Sequence, residues 1–197
     1  MEQPMAVLVE AISVVLRLEA VEARFAGGLD AFDAIVPNAT GCSDGELIRF
    51  GFMVPADVEA FVKSLEGAGL RYLGDGMAQD MVVVDQQRGS LSACDWLDAG
   101  RVDLDPAGRE QVTIAWLKGS EPGGFAAPDG WQYAGSLSQT FGFAPGTEAP
   151  RPGLQFLRHQ DGIDVYLDRL SGKEVYVGRY DQPHPQNDGR RPEGTGG

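Results

Sequence analysis

The chain is poor in the residues on which much protein chemistry is built. Its 197 residues include two cysteines, Cys42 and Cys94, and two histidines, His159 and His184. Two widely separated cysteines make no disulfide framework and match no zinc or thiol-redox spacing, so a reducing, cytoplasmic setting is the expectation. No run of about 18 uncharged apolar residues occurs, and that excludes a bilayer-crossing helix. Met1 to Met5 carries Glu2 and Pro4 where a secretory signal would be basic, and the apolar run that follows is broken by Glu10 and Arg17; a signal is not expected. Basic residues are the minority, 16 Lys and Arg against 29 Asp and Glu, for a net charge of −13. Such a surface repels phosphates and anionic head groups, which argues against nucleic acid and membrane partners and leaves a basic protein partner or a small ligand. There is no dinucleotide fingerprint, P-loop or His-Glu-x-x-His helix, and no Gly-x-Ser-x-Gly elbow is expected. Neither a cofactor nor a metal is expected.

What the chain does contain points to an α+β protein. Ala11 to Arg17 is β-branched and compact, as in a buried strand. Leu18, Val21 and Phe25, then Leu29, Phe32 and Val36, fall at helical spacing on either side of Gly27-Gly28, so a helix in two pieces is predicted. Ile48, Phe50 and Phe52 alternate with Leu47, Arg49 and Gly51, the pattern of a strand with one core face. Pro55 opens a helix whose stripe is Val58, Phe61, Val62 and Leu65, closed by Gly67 and Gly69. Met81 to Val84 reads as a central strand. With a short extra strand from Thr40 to Asp44, this order suits a ferredoxin-like (split βαβ) N-terminal half; one larger antiparallel sheet is the alternative.

The composition changes near residue 90, dividing the chain into an α+β half (1–90), a mainly β half (91–180) packed with it as one unit, and a disordered tail (181–197). Val112, Ile114 and Trp116 alternate along a strand, and no further helix is convincing. Residues 119–153 are rich in glycine, proline and aromatics, and form either a binding loop or a set of short strands. Leu154–Gln160 and Ile163–Arg169 flank Asp161-Gly162, a hairpin signal, and Glu174–Gly178 completes an antiparallel meander.

Candidate chemistry is sparse. Cys42 sits in a turn-like stretch beside Asp44, where backbone amides could favour a thiolate, and His159 is the one plausible base for it. Asp85 ends a buried strand and could form a polar centre with Arg49. Cys42, Asp44, Asp85 and His159 are therefore the catalytic candidates, against the plainer reading of semi-buried thiols and solvated turn carboxylates. Asp75 to Asp105 holds many aspartates but no EF-hand spacing. Arg49, Gln86, Trp96, Trp131 and Tyr133 are the binding candidates, since Trp and Tyr offer flat, low-entropy contact area.

The phrases Pro37-Asn38-Ala39-Thr40, Asp44-Gly45-Glu46-Leu47, Gly51-Phe52-Met53, Val84-Asp85-Gln86 and Cys94-Asp95-Trp96-Leu97 resemble bacterial proteins that carry no assigned activity. The resemblance spans about residues 11–97, implies a bacterial origin and brings no catalytic residue with it. Strong negative charge, missing motifs and the aromatic segment favour a small binding or interaction module, of immunity or accessory type, over catalysis. The alternative is an enzyme or small-molecule-binding domain with a pocket between the helical half and the later sheet.

Overall fold

The structure, a computed structural model, describes residues 3–140, 154–160, 163–168 and 173–178. The first half contains β1 (Met5–Val9), β2 (Ile12–Arg17), α1 (Leu18–Arg24), α2 (Gly28–Asp33), β3 (Cys42–Ser43), β4 (Leu47–Phe52) and α3 (Pro55–Gly67). It continues through β5 (Leu73–Gly74), β6 (Met77–Ala78), β7 (Met81–Asp85) and β8 (Gly89–Ser90). Then come β9 (Leu97–Asp103), β10 (Gln111–Leu117), β11 (Gly124–Ala126), a single turn α4 (Leu137–Thr140), β12 (Leu154–Gln160), β13 (Ile163–Asp168) and β14 (Lys173–Gly178). The fold is α+β with mostly antiparallel sheets. No helix among the described residues is long and apolar enough to cross a membrane.

Two sheets carry most of the structure. One has the order β3-β4-β2-β7-β8 and is antiparallel throughout. The other has the order β11-β1-β10-β9, with β11 parallel to β1 and the remaining pairs antiparallel. β12, β13 and β14 form the expected meander, while Asp161-Gly162 and the tail lie outside the described residues.

Alternation decides which side chains go where. Ile12, Val14 and Leu16 of β2, Phe50 and Phe52 of β4, and Met81 and Val83 of β7 face the helices, packing on Val21, Phe25, Phe32, Val58, Phe61, Val62 and Leu65. Each such side chain contributes roughly 1.5–3 kcal/mol on burial. The predicted α3 stripe is the one that is buried. The helix ends where Leu70 N–H reaches back to Leu65 O (3.1 Å) and Gly69 takes φ +109°; a Cβ there would lie 2.6 Å from Arg24 O.

The opposite face of the same sheet is also buried. Val15, Leu47, Val82 and Val84 meet Val7, Val9, Leu97 and Ala115 of the second sheet, with Cys42, Cys94 and Trp96 at the margin. The outer face of the second sheet, formed by Ala6, Leu8, Val112 and Ile114, is covered in turn by Phe125, Trp131 and Tyr133. Part of the glycine- and proline-rich segment is therefore a lid of core, and it also supplies β11 and α4, a helical turn that the sequence does not announce. The remainder of that segment, 141–153, lies outside the described residues.

β1 and β2 form nearly one strand, yet β1 belongs to one sheet and β2 to the other. The change of sheet falls on Glu10-Ala11, where Ala11 takes φ +50°.

Candidate functional site

A strand that changes sheets loses its ladder hydrogen bonds at the crossing, and buried backbone groups need substitutes. Here side chains supply most of them. Ser13 Oγ accepts from Glu10 N–H (3.2 Å) and donates to Glu10 O (3.0 Å). Gln86 Oε1 accepts from Ala11 N–H (2.8 Å), and Gln86 N–H donates to Ala11 O (2.8 Å). Gln86 Nε2 also donates to Ser138 O (3.3 Å), and its carbonyl accepts from Thr113 Oγ1 (2.6 Å), so one residue joins β7, β10 and α4 to the crossing.

Arg49 completes the set from β4. Its side chain is wholly buried, with Nε donating to Ser13 Oγ (2.9 Å), Nη1 to Thr40 O (3.1 Å) and Nη2 to Glu10 O (3.2 Å). The guanidinium fits because Gly51, two residues along the same face, has no Cβ: one added there would sit 2.5 Å from Nη2. Thr40 is itself fixed, since its N–H and Oγ1 donate to Asn38 Oδ1 (3.0 and 2.5 Å) while Gly51 N–H donates to Thr40 Oγ1 (2.7 Å).

On the other side of the crossing the Glu10 side chain, 6% exposed, points to the aromatic segment. Its Oε1 accepts three hydrogen bonds, from Trp131 Nε1–H (3.0 Å), Ser138 N–H (2.9 Å) and Ser138 Oγ (2.7 Å). These bonds hold residues 131–138 against β1. Between that segment and the Thr40 loop lies a cleft of about 440 Å³, lined by Glu10, Ala39, Thr40, Pro128 to Gln132 and Ala134 to Leu137.

The predicted site residues distribute unevenly around this centre. Arg49 and Gln86 are buried structural donors and acceptors at the crossing, and Trp131 lines the cleft. Tyr133 packs on the outer face of the second sheet, and burial pushes its phenol up. Trp96 lies apart, with Nε1–H donating to Ala78 O (3.0 Å) and Arg17 stacked over its ring at 5.6 Å.

Arg49 and Asp85 do not form a polar centre. Arg49 pairs with Val15 on the inter-sheet face, whereas Asp85 pairs with Ile12 on the helix face. Asp85 Oδ1 instead accepts from Gln87 and Arg88 N–H (2.8 and 3.0 Å), and burial pushes its carboxyl up. Asp44 likewise closes a turn, accepting from Glu46 and Leu47 N–H (2.9 and 2.7 Å).

Cys42 stands opposite Arg49 on β3, and burial raises its thiol above the ordinary range although the guanidinium beside it pulls the other way. Burial therefore works against the amide-favoured thiolate and toward the plainer reading of a semi-buried thiol. Three strand spacings, roughly 14 Å, separate the β3 and β7 positions, so Cys42 and Asp85 do not converge. His159 lies in β12 opposite Asp164, with its side chain outside what is described. Among the described residues no cluster of three His, Cys, Asp or Glu is placed to hold a metal.

Contrary to the expectation that no Gly-x-Ser-x-Gly occurs, Gly41-Cys42-Ser43-Asp44-Gly45 has that spacing. It runs from strand to strand rather than from strand to helix, and Ser43 Oγ accepts from Gly45 N–H (3.1 Å) in an exposed turn. The residue that sequence reasoning misses is Glu10. Its signal is a lone carboxylate inside the apolar run from Ala6 to Leu16. Compared with known proteins, the chain matches no family model, no curated protein and no solved structure.

Proposed function

We propose that this chain is a small binding module, of the bacterial cytoplasmic kind that its sequence suggests, and that its ligand site is the cleft between the Thr40 loop and residues 128–137. The observation that carries this reading is the anchoring of the cleft. One wall hangs on Arg49 through Thr40 O, the other on Glu10 through Trp131 and Ser138, so both are fixed before any ligand arrives. Preformed walls lower the ordering cost of binding. The volume falls within the range of small-molecule sites, and the acidic chain would draw a basic partner or ligand toward it. A split βαβ description of the N-terminal half rests on the strand order β3-β4-β2-β7 with α1 and α2 before β3 and α3 after β4.

The test is amide and indole chemical-shift mapping of the full chain against a mixed fragment collection. Saturable shifts clustered on Ala39, Thr40, Gly130, Trp131 and Gly135 are expected. Shifts clustered elsewhere, or none, would reject the cleft as the binding site.

A further inference from the structure

We propose that the cleft takes an organic cation, an alkylammonium or guanidinium group, with Glu10 Oε2 as its counter-charge; this rests on the cleft being the ligand site. The two oxygens of Glu10 are treated very differently. Oε1 accepts three hydrogen bonds, which fixes the plane of the carboxyl group, while Oε2 makes none among the described residues. All three donors are neutral. No Lys, Arg or His side chain forms an ion pair with Glu10 among the described residues; Arg49 donates to the Glu10 carbonyl oxygen and acts on the carboxyl only through space, without a contact.

A carboxyl group 6% exposed, held rigid through Oε1 and with Oε2 unbonded yet not sealed from solvent, can receive a donor from the cleft that it lines. The charge of that donor follows from the walls. They contain a second carboxylate, Asp129, and no basic residue. An anion entering there meets two carboxylates on the walls, with the Arg49 guanidinium buried behind Thr40 rather than lining the cleft, whereas an ammonium or guanidinium group forms a charge-assisted bond with Oε2. Ala39, Pro128, Trp131 and Leu137 supply apolar wall for the stem behind the charge. The same group could arrive as a free amine or as a Lys or Arg side chain of a basic protein.

The test titrates the full chain with probes sharing one stem, n-butylammonium, n-butylguanidinium, n-butanol and butyrate, read at the Trp131 indole N–H that bonds to Glu10. The two cations should shift this resonance and the Thr40 and Gly135 amides saturably, and butyrate should not. Glu10→Gln keeps an oxygen for the three donors and removes the charge, so cation affinity should fall about tenfold or more. The wild-type comparison of butylammonium with butyrate stands even if that variant does not fold. A blocked Gly-Arg-Gly peptide separates the sources: its binding assigns the cation to a protein side chain, and binding of the free cations alone assigns it to a small amine.

Equal shifts by n-butanol and the cations, or undiminished cation binding to Glu10→Gln, would overturn the charge assignment and leave the cleft as a ligand site. No shift at the cleft from any probe would overturn both.

Discussion

Whether the buried guanidinium organises the strand crossing can be decided at Gly51. Its backbone is not left-handed, so alanine there is opposed only by space, and in a strand Gly→Ala ordinarily gains about 0.5–1 kcal/mol. At this position the new Cβ would lie 2.5 Å from Arg49 Nη2 and 3.0 Å from Cζ. The guanidinium would have to move and give up its bond to Glu10 O. A hydrogen bond to a charged group is worth about 1.5–3 kcal/mol, and overpacking costs about 1–3 kcal/mol more. Gly51→Ala should therefore destabilise the protein by about 2–5 kcal/mol once the strand gain is set against these costs. In an Arg49→Met background both penalties vanish, because methionine does not reach the position of Nη2, and the same substitution should be neutral or slightly stabilising. Urea unfolding of the four proteins measures this, with midpoints compared at unchanged slope. A coupling energy within about 0.5 kcal/mol of zero would refute the account, since that is what independent sites give.

Two further outcomes follow from buried groups. Burial raises the Asp85 carboxyl, so the native state holds its proton more tightly than the unfolded chain, and the contribution of this group to stability falls as pH rises from the ordinary value near 3.9 through the raised one. Asp85→Asn keeps the acceptor for Gln87 and Arg88 N–H and should be the more stable protein at neutral pH with a flatter acid limb, whereas Asp85→Ala should lose about 1–3 kcal/mol. Urea midpoints at about pH 4.5 and 7.5 check both, and an Asn variant less stable than wild type at neutral pH would refute the sign. Cys42 should alkylate more slowly than a free cysteine at neutral pH, with its rate midpoint displaced upward from that of a free thiol, as peptide-resolved mass spectrometry would show. Rapid labelling at neutral pH would contradict its burial.

Elements with one apolar face were legible in the sequence, and so were the continuous apolar runs of β2 and β7; β1 and β9 were not. The α3 stripe, the Ile48-Phe50-Phe52 face of β4, the Val112-Ile114 face of β10 and the meander strands all appear where periodicity places them. β4 nevertheless carries a second buried face, and this puts Arg49 inside rather than at the surface. β1 is hidden because Ala6 to Val9 runs into the β2 sequence as one apolar stretch, and nothing local in that stretch shows that its two ends pair in different sheets. β9, with Asp98, Gly100, Arg101 and Asp103, lacks strand propensity, and it is an edge strand held by its pairing to β10.

The candidate site was hidden for a related reason. Asp44 and Asp85 stand out in the sequence because they lie in a turn and at a strand end, and in the structure both cap their own turns. Glu10, by contrast, shows in the sequence only as an interruption of an apolar run. A carboxylate in the middle of a run too apolar to have a wet face must either break the strand or be buried with partners, and here it does both. Its backbone makes the crossing, and the crossing draws in Ser13, Arg49 and Gln86, while its side chain gathers Trp131 and Ser138. The partners lie far away in sequence, so local pattern could mark the position but not the company it keeps. The cleft exists because the residue that lets the chain change sheets also ties down the segment covering the outer sheet, leaving one carboxyl oxygen with no bond among the described residues.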